Sequence, residues 1–146
     1  MKLRKWTAAA LVVSLSAGFA LADEIADRQA IMKNNGRAIG QLGAILKGEK
    51  PFDQTVVDAA LKTLADDAQK FDVKLFPETS KTGGDTEASP KIWEDAAGFK
   101  TKISDFTAVV TEAKAKIKDA DSLKTVFPTI GKACGGCHET FRVKNS

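Results

Sequence analysis

Apolar residues return at helical spacing in four separate stretches of the chain. The first stretch runs over residues 24–46, with intervals of seven, seven, three and four between Ile25, Met32, Ile39, Leu42 and Leu46. Such intervals keep side chains on one face of a helix, so this stretch predicts an amphipathic first helix. A Gly-then-Pro stop signal follows it at residues 48–51.

A second helix is predicted from the N-cap residue Asp53 to about residue 70, with Phe52 packing on Val57 as a hydrophobic staple. The periodicity then stops, and residues 72–88 form one long connection that contains Phe76-Pro77 and Gly83-Gly84. A connection of this length in a compact domain needs a reason. It crosses an end of the bundle or covers the edge of a cofactor.

Two further helices complete the pattern. Ser89-Pro90 is a strong helix start, and apolar residues then alternate at spacings of four and three as far as Ile117. Asp121 or Ser122 is expected to cap the last helix, in which Pro128 predicts a kink. The apolar stripe of this last helix comprises Leu123, Phe127, Ile130, Cys134, Cys137 and Phe141.

Four amphipathic helices joined by short links and one long connection predict an all-α, antiparallel four-helix bundle. The pattern contains no internal repeat and no second domain, and the length suits one hydrophobic core. We therefore predict a single bundle domain over residues 23–146.

The first 22 residues have the layout of a secretory signal peptide. A basic start, Met1 to Lys5, precedes an apolar run that ends in Ala20-Leu21-Ala22, an A-x-A cleavage site. The apolar run is short and rich in small residues, so an uncleaved membrane anchor is the weaker alternative. We predict export to the periplasm, with no stable membrane insertion after cleavage.

Cleavage changes the charge of the protein. The full chain has 22 basic and 19 acidic residues, a net charge of +3, and the signal peptide removes Lys2, Arg4 and Lys5. The exported part is thus close to neutral, which removes any argument from bulk charge for nucleic-acid binding. Cleavage also removes Met1, so Met32 becomes the only methionine.

The segment Cys134-Gly135-Gly136-Cys137-His138 contains both cysteines and the only histidine of the chain. Two cysteines at i and i+3 followed by histidine form the attachment pattern of c-type haem. On a helix the spacing places both sulfurs on one face, where each forms a thioether to a haem vinyl group, and the histidine binds the iron. The predicted cofactor is one covalently attached haem c near the C-terminus.

Three other interpretations of the motif are weaker. A structural zinc site needs four ligands, and the chain has no further Cys or His. A thioredoxin-type redox pair belongs to a βαβ setting and does not need the histidine. A disulfide between residues three apart closes a loop too small to add much stability.

The residue on the second axial side of the iron decides the function. With no other His, no free Cys and no Tyr, the available ligands are Met32 and, less favourably, a deprotonated lysine. Met32 lies on the predicted buried stripe of the first helix, and Gly36 leaves bare backbone one turn later. The alternative is that Met32 only fills a gap in the core.

Neighbouring polar residues suggest further contacts to the cofactor. Arg28 lies one turn before Met32 and is placed to pair with a haem propionate, with Gln29 adding a hydrogen bond. Arg142 is four residues after His138, so it can cover the proximal imidazole. The alternative for Arg28 is an exposed charge at the end of the bundle, and the alternative for Arg142 is a solvated residue in a fraying C-terminal turn. Trp93 and Phe141 are interpreted first as core residues.

Three segments resemble the cytochrome c' (c-prime) family, the class II c-type cytochromes: Arg28-Gln29-x-x-Met32, Ser89-Pro90-Lys91-Ile92-Trp93 and Gly131-Lys132-x-Cys134-x-x-Cys137-His138-x-x-Phe141-Arg142. The resemblance covers essentially all of residues 23–146. It implies a four-helix bundle, haem attached through Cys134 and Cys137, and His138 as proximal ligand. High-spin members carry a non-ligating apolar residue where this chain has Met32. In having a methionine at this position, the chain resembles the low-spin subgroup of the family, in which this methionine ligates the iron.

The predicted function is a one-electron carrier with His/Met low-spin haem, acting with redox partner proteins that the sequence does not identify. A five-coordinate haem protein that binds nitric oxide or carbon monoxide is the second hypothesis. A peroxidase-like enzyme is weakest, because Arg28 has no acid-base partner on the first helix. Members of the family often form a homodimer through the first two helices, although the exposed faces here lack a decisive apolar stripe.

Overall fold

The described residues form five α-helices and two short 3-10 turns. The computed structural model describes residues 17–82 and 85–143, with side chains described from residue 24 onward. The helices are α1 (Ala17–Leu46), α2 (Gln54–Lys70), α3 (Lys91–Glu94), α4 (Ala96–Lys116) and α5 (Ala120–Phe141). Contacts join α1 to α2, α2 to α4, α4 to α5 and α5 to α1. This closed ring of four long helices confirms the predicted all-α, antiparallel four-helix bundle.

The N-terminal end of α1 overlaps the predicted signal peptide. Residues 1–16 lie outside the described residues, and the predicted cleavage site after Ala22 falls within α1. Among the described residues, none of the helices is both long and apolar enough to span a bilayer. Signal cleavage therefore stays a prediction.

The helix caps agree with the sequence for α2 and differ from it for α5. The Asp53 carboxylate accepts hydrogen bonds from the Thr55 and Val56 backbone N–H groups, as predicted. The N-cap of α5 is Asp119, so the expectation of Asp121 or Ser122 was wrong. Ser122 occupies the third helical position, where its hydroxyl accepts from the Asp119 N–H and completes a capping box.

The third predicted helix is interrupted at Asp95. The Ser89 hydroxyl accepts from the Lys91 N–H at the predicted start, but Asp95 has φ −129° and ψ 62°, outside the helical region. Its carboxylate caps α4 by accepting from the Gly98 N–H, and a Cβ at Gly98 would collide with it. Asp competes with a helix through such local bonds, which a stripe of apolar residues does not reveal.

The interior consists of two clusters. The aliphatic cluster lies between the four long helices and consists of Ala38, Leu42, Ile45, Val57, Ala60, Leu61, Leu64, Val110, Ala113, Ile117, Leu123 and Ile130. The aromatic cluster contains Phe76, Ile92, Phe99 and Phe141, with Phe76 and Phe99 edge to face at 4.9 Å between ring centroids. The second cluster borders the cavity described below.

The apolar stripe predicted for α1 coincides only in part with the residues of α1 that are buried. Leu42 is fully buried, but Met32 is 37% exposed, and the apolar core positions of α1 also include Ile31, Ala38 and Ile45. Met32 faces an open cavity, so its side chain keeps accessible surface although it points inward. Helical spacing alone does not separate a core face from a cavity face.

The long connection between α2 and α3 contains two 3-10 turns, Val73–Leu75 and Glu78–Ser80, and both contact α1. The Trp93 indole N–H donates to the Phe76 carbonyl at 2.9 Å, and the Gln29 amide donates to the Asp85 carbonyl at 2.6 Å. These bonds fasten the connection to α3 and to α1. It forms part of the wall of the cavity, in agreement with the second of the two predicted reasons for its length.

Candidate functional site

A cavity of about 610 Å³ opens between α1, α4, α5 and the α2–α3 connection. This volume lies in the range of roughly 300–1,000 Å³ found for sites of small molecules and cofactors. All seven residues predicted to bind the cofactor line this one cavity: Arg28, Gln29, Met32, Cys134, Cys137, His138 and Arg142. Residues from the two ends of the sequence thus meet at a single site.

The walls of the cavity are mostly apolar and aromatic. The apolar wall residues include Ile25, Ile39, Phe71, Phe76, Ile92, Phe99, Ile103, Phe106 and Phe141. A wall of this kind suits a flat, apolar macrocycle and excludes water from it. The sequence did not single out Phe71 and Phe76, because they lie in or beside a segment without periodicity. Their signal was two phenylalanines close together at the start of that segment.

Cys134 and Cys137 lie one helical turn apart on α5, and both are half-buried free thiols. The sequence alternative of a disulfide does not occur in the structure. Burial raises the pKa of both thiols, and the positive charge of Lys102 partly opposes this for the pKa of Cys137. Two thiols on one helical face at the cavity wall have the arrangement that double thioether attachment needs.

His138 is half-buried beside them. Burial lowers the pKa of its imidazole, the Arg142 charge lowers this pKa further, and Glu87 opposes both effects. The neutral imidazole is the form that binds iron. The site therefore favours the ligating form of the side chain.

Met32 enters the cavity from α1, a different helix from the one that carries His138. Gly36 also lines the cavity, and a Cβ built there would meet nothing within 4 Å. The space beside the Met32 wall is thus open to a flat group. Of the lysines in the described residues, Lys102 alone lines the cavity, which narrows the alternative of a lysine ligand to one residue.

Arg28 has an unusual environment for a charged side chain. Only 5% of the residue is exposed, its Nη1 donates to the Ser80 hydroxyl at 3.3 Å, and its guanidinium lies 4.6 Å from the centre of the Phe76 ring. Burial lowers the pKa of Arg28, and Glu24 opposes that shift. Its Nη2 is buried and has no hydrogen-bond partner among the described residues. A buried charged donor without an acceptor is costly, so the cavity fits a ligand that brings a carboxylate.

The other two predicted polar contacts already have partners within the protein. Gln29 is exposed and bonds to the Asp85 carbonyl. The Arg142 Nε and Nη2 both lie 2.5 Å from one oxygen of the Glu87 carboxylate. Arg142 is exposed but is not in a fraying turn, because this ion pair holds it against the α2–α3 connection.

Backbone pairing strengthens that attachment. The Ser89 N–H donates to the Phe141 carbonyl at 3.1 Å, and the Val143 N–H donates to the Glu87 carbonyl at 2.8 Å. Ala88 and Arg142 form an isolated antiparallel bridge between these bonds. We call residues 87–89 and 141–143 together the C-terminal clasp. It joins the end of α5, just after His138, to the connection.

A sequence profile described as Cytochrome C' matches residues 23–142 of this chain. The chain belongs to the cytochrome c' family. It is 50% identical over 141 residues to cytochrome c-556 of Rhodopseudomonas palustris, an alignment that covers 94% of each chain. It is 49% identical over 148 residues to cytochrome c' of the same organism, covering all of both chains. A solved structure of Rhodopseudomonas palustris cytochrome c' has a TM-score of 0.81 at 48% identity, with 85% of this chain and 98% of that chain covered.

Family membership identifies the cofactor. This member of the cytochrome c' family is a c-type cytochrome that carries covalently attached haem c, and the chain has only two cysteines to hold it. The residues that line the cavity fit this cofactor. The cavity has paired thiols, an imidazole that favours its neutral form, apolar walls and a buried guanidinium with an unused donor.

Proposed function

We propose that this cytochrome is a periplasmic one-electron carrier with low-spin haem, in which His138 and Met32 occupy the two axial positions of the iron. Cys134 and Cys137 attach the haem through thioether bonds. The observation that carries the proposal is that Met32, the single methionine of the exported part, lines the same cavity as Cys134, Cys137 and His138. A methionine that only filled the core would be buried, and Met32 is not.

The two axial residues suit electron transfer. When bound, the haem supplies a metal centre that accepts or releases one electron. The Met32 thioether is a soft ligand that favours the ferrous over the ferric state, which raises the reduction potential. With both axial positions filled by protein side chains, no position is left for a substrate.

The remaining residues of the site orient and shield the cofactor. Arg28 is placed to donate its unused Nη2 to a haem propionate, a charge-assisted bond that satisfies the buried cation. Gln29 acts by holding Asp85 at the rim of the cavity, and Arg142 covers the proximal imidazole while paired with Glu87. Export as residues 23–146 follows from the signal-peptide pattern of residues 1–22.

The optical spectrum of the purified holoprotein tests this proposal. We expect low-spin bands in both redox states and a thioether-to-iron charge-transfer band in the ferric form. Met32→Ala removes the sulfur, so we expect the charge-transfer band to disappear and the spectrum to become high-spin. Ile39→Ala is the matched control, because Ile39 also lines the cavity from α1 but has no ligand atom. High-spin bands in the wild-type protein would contradict the proposal.

A gas-binding protein is the second candidate function. It is favoured by the nearly equal identity of this chain to a cytochrome c-556 and to a cytochrome c', and by the exposed fraction of Met32. A methionine that is not packed into the core is easier to displace. Carbon monoxide added to the ferrous protein distinguishes the two functions. A carrier keeps its spectrum, whereas a gas-binding protein changes to a carbonyl spectrum as the gas is titrated.

A further inference from the structure

Lys102 places a positive charge at the edge of the cavity that holds the cysteines. It lies on α4, is half-buried and lines the cavity. Its Nζ is 3.8 Å from the position that a Cβ of Gly136 would occupy, and Gly136 lies between the two cysteines. The charge of Lys102 also acts on the neighbouring Cys137 sulfur. The ammonium group is therefore within electrostatic reach of the attachment segment.

The direction of Lys102 is set by its helix. Phe99, Ile103 and Phe106 lie within one turn of it and line the same cavity, so this face of α4 turns toward the cofactor site. Lys102 forms no ion pair with a carboxylate in the part of the chain that the structure describes. Lys100, two residues earlier, is exposed and does not line the cavity. The two lysines differ in position, not in charge.

We propose that Lys102 raises the reduction potential of the haem by acting as a fixed positive charge beside its attached edge. The proposal rests on the proposed function of a one-electron carrier. Reduction adds one electron to the iron and makes or breaks no other bond, so the ferric site has one more positive charge than the ferrous site. A nearby cation destabilises the ferric state more. A half-buried charge is also less screened by salt than an exposed one.

The experiment measures the midpoint potential of the holoprotein by spectroelectrochemistry, with the electrode as the source of electrons. For Lys102→Gln we expect the equilibrium constant of reduction to fall about threefold to tenfold, which is roughly 30–60 mV for a one-electron couple. Lys102→Arg keeps the charge and should keep most of the potential. Lys100→Gln is the matched control and should change the constant less than about twofold at 0.15 M salt.

Salt and spin state separate the proposal from other roles of Lys102. The difference between the wild-type protein and Lys102→Gln should persist from low to high salt, whereas a solvated surface charge loses its effect. Equal shifts for Lys102→Gln and Lys100→Gln, or a Lys102→Arg variant as low as Lys102→Gln, would overturn the proposal. A change of spin state in Lys102→Gln would also overturn it, because Lys102 would then be an iron ligand. Lys102→Leu, which is neutral and has no ligand atom, repeats the comparison if the Gln variant folds poorly.

The two proposals fail in different ways. High-spin bands in the wild-type spectrum would contradict His/Met ligation, and the potentials of the Lys102 variants would still report on its charge. Low-spin bands together with unchanged potentials in the Lys102 variants would contradict only the role of Lys102.

Discussion

Arg28 is a buried charged residue with a hydrogen-bond donor that the protein leaves unpaired among the described residues. Its guanidinium contacts the Ser80 hydroxyl and the Phe76 ring. Its buried Nη2 has no hydrogen-bond partner among the described residues. Removing the Ser80 hydroxyl and removing the Arg28 charge therefore test different contacts. This difference gives a matched pair of variants.

In the holoprotein, Arg28→Gln should raise the pKa of a haem propionate, because a cation beside a carboxylic acid favours the ionised form. Loss of a hydrogen bond to a charged group should also cost about 1.5–3 kcal/mol of unfolding free energy. NMR titration of the propionates and thermal unfolding measure the two effects. Ser80→Ala removes only the hydroxyl partner, so its propionate pKa should stay at the wild-type value. An unchanged propionate pKa in Arg28→Gln would place the guanidinium away from the cofactor.

Single residues were predictable where their chemistry is rare. Cys134, Cys137, His138 and Met32 are scarce residue types, so counting singled them out. The structure brings all four to one cavity, and their roles stay predictions. Lys102 was not found, because it is one of many lysines and only the packing of α4 turns it toward the cavity. In the sequence, Lys102 lies one helical turn from Phe99 and from Phe106, on the helix face that also contains Ile103. A charged residue inside an apolar stripe was the available indication.

At the scale of elements, the C-terminal clasp connects the end of α5 to the α2–α3 connection. Its ion pair lowers the pKa of Glu87, chiefly through the hydrogen bond from Arg142. A carboxyl group whose pKa is lower in the folded than in the unfolded protein stabilises the fold above the unfolded value of about 4.3. That contribution is lost as the pH falls through the folded value.

The thermal midpoint of Glu87→Gln should therefore lie below that of the wild-type holoprotein at pH 7. The difference should shrink as the pH falls below about 4 and vanish once Glu87 is protonated in the wild-type protein. Glu139→Gln is the control, since Glu139 is an exposed carboxylate on α5 and forms no ion pair in the described structure. A Glu87→Gln difference that is independent of pH would contradict a contribution from the ion pair, because Gln keeps the backbone bonds of the clasp.

Elements were predicted well where one rule decides them and poorly where two compete. The second helix and its Asp53 cap follow from a strong stripe and a clear cap residue. The break at Asp95 and the Asp119 cap depend on which local hydrogen bond a carboxylate makes, and neighbouring acidic residues offer several choices. The clasp pairs residues more than fifty positions apart, so no local pattern announces it.

The whole molecule has an aliphatic end and an aromatic end of different character. The aliphatic cluster is closed by four helices, while the aromatic cluster borders the cavity. Regions with fewer buried apolar contacts open at lower free energy. The two ends should therefore respond differently when haem is not attached.

Cys134→Ala combined with Cys137→Ala should give little folded holoprotein and no covalent haem, because both attachment sulfurs are gone. In the protein that is recovered, hydrogen exchange should leave amides near Leu61 and Val110 protected and those near Phe76 exposed. Each single cysteine variant is a control that keeps one thioether. Covalent haem in the double variant would contradict the attachment, and equal protection loss at both ends would contradict two separate clusters.

The overall architecture was predictable because a bundle requires only repeated amphipathic helices with short links, and the sequence shows both. The cavity was not, since its walls combine α1, α4, α5 and the connection, and no pattern within one element encodes their distance. The Met32 stripe shows this limit. Its spacing correctly turned Met32 inward, but only the packed fold distinguishes an inward cavity from an inward core.

The position of the two halves of the site in the chain also has a consequence in time. Met32 is synthesised early, and Cys134 to His138 follow roughly a hundred residues later. A contact between such distant segments forms late, because closing a long loop costs chain entropy first. The attachment segment should thus emerge while the bundle is still open. The cysteines are then accessible to haem in an unfolded segment of the chain, and the cavity forms around the attached haem afterwards.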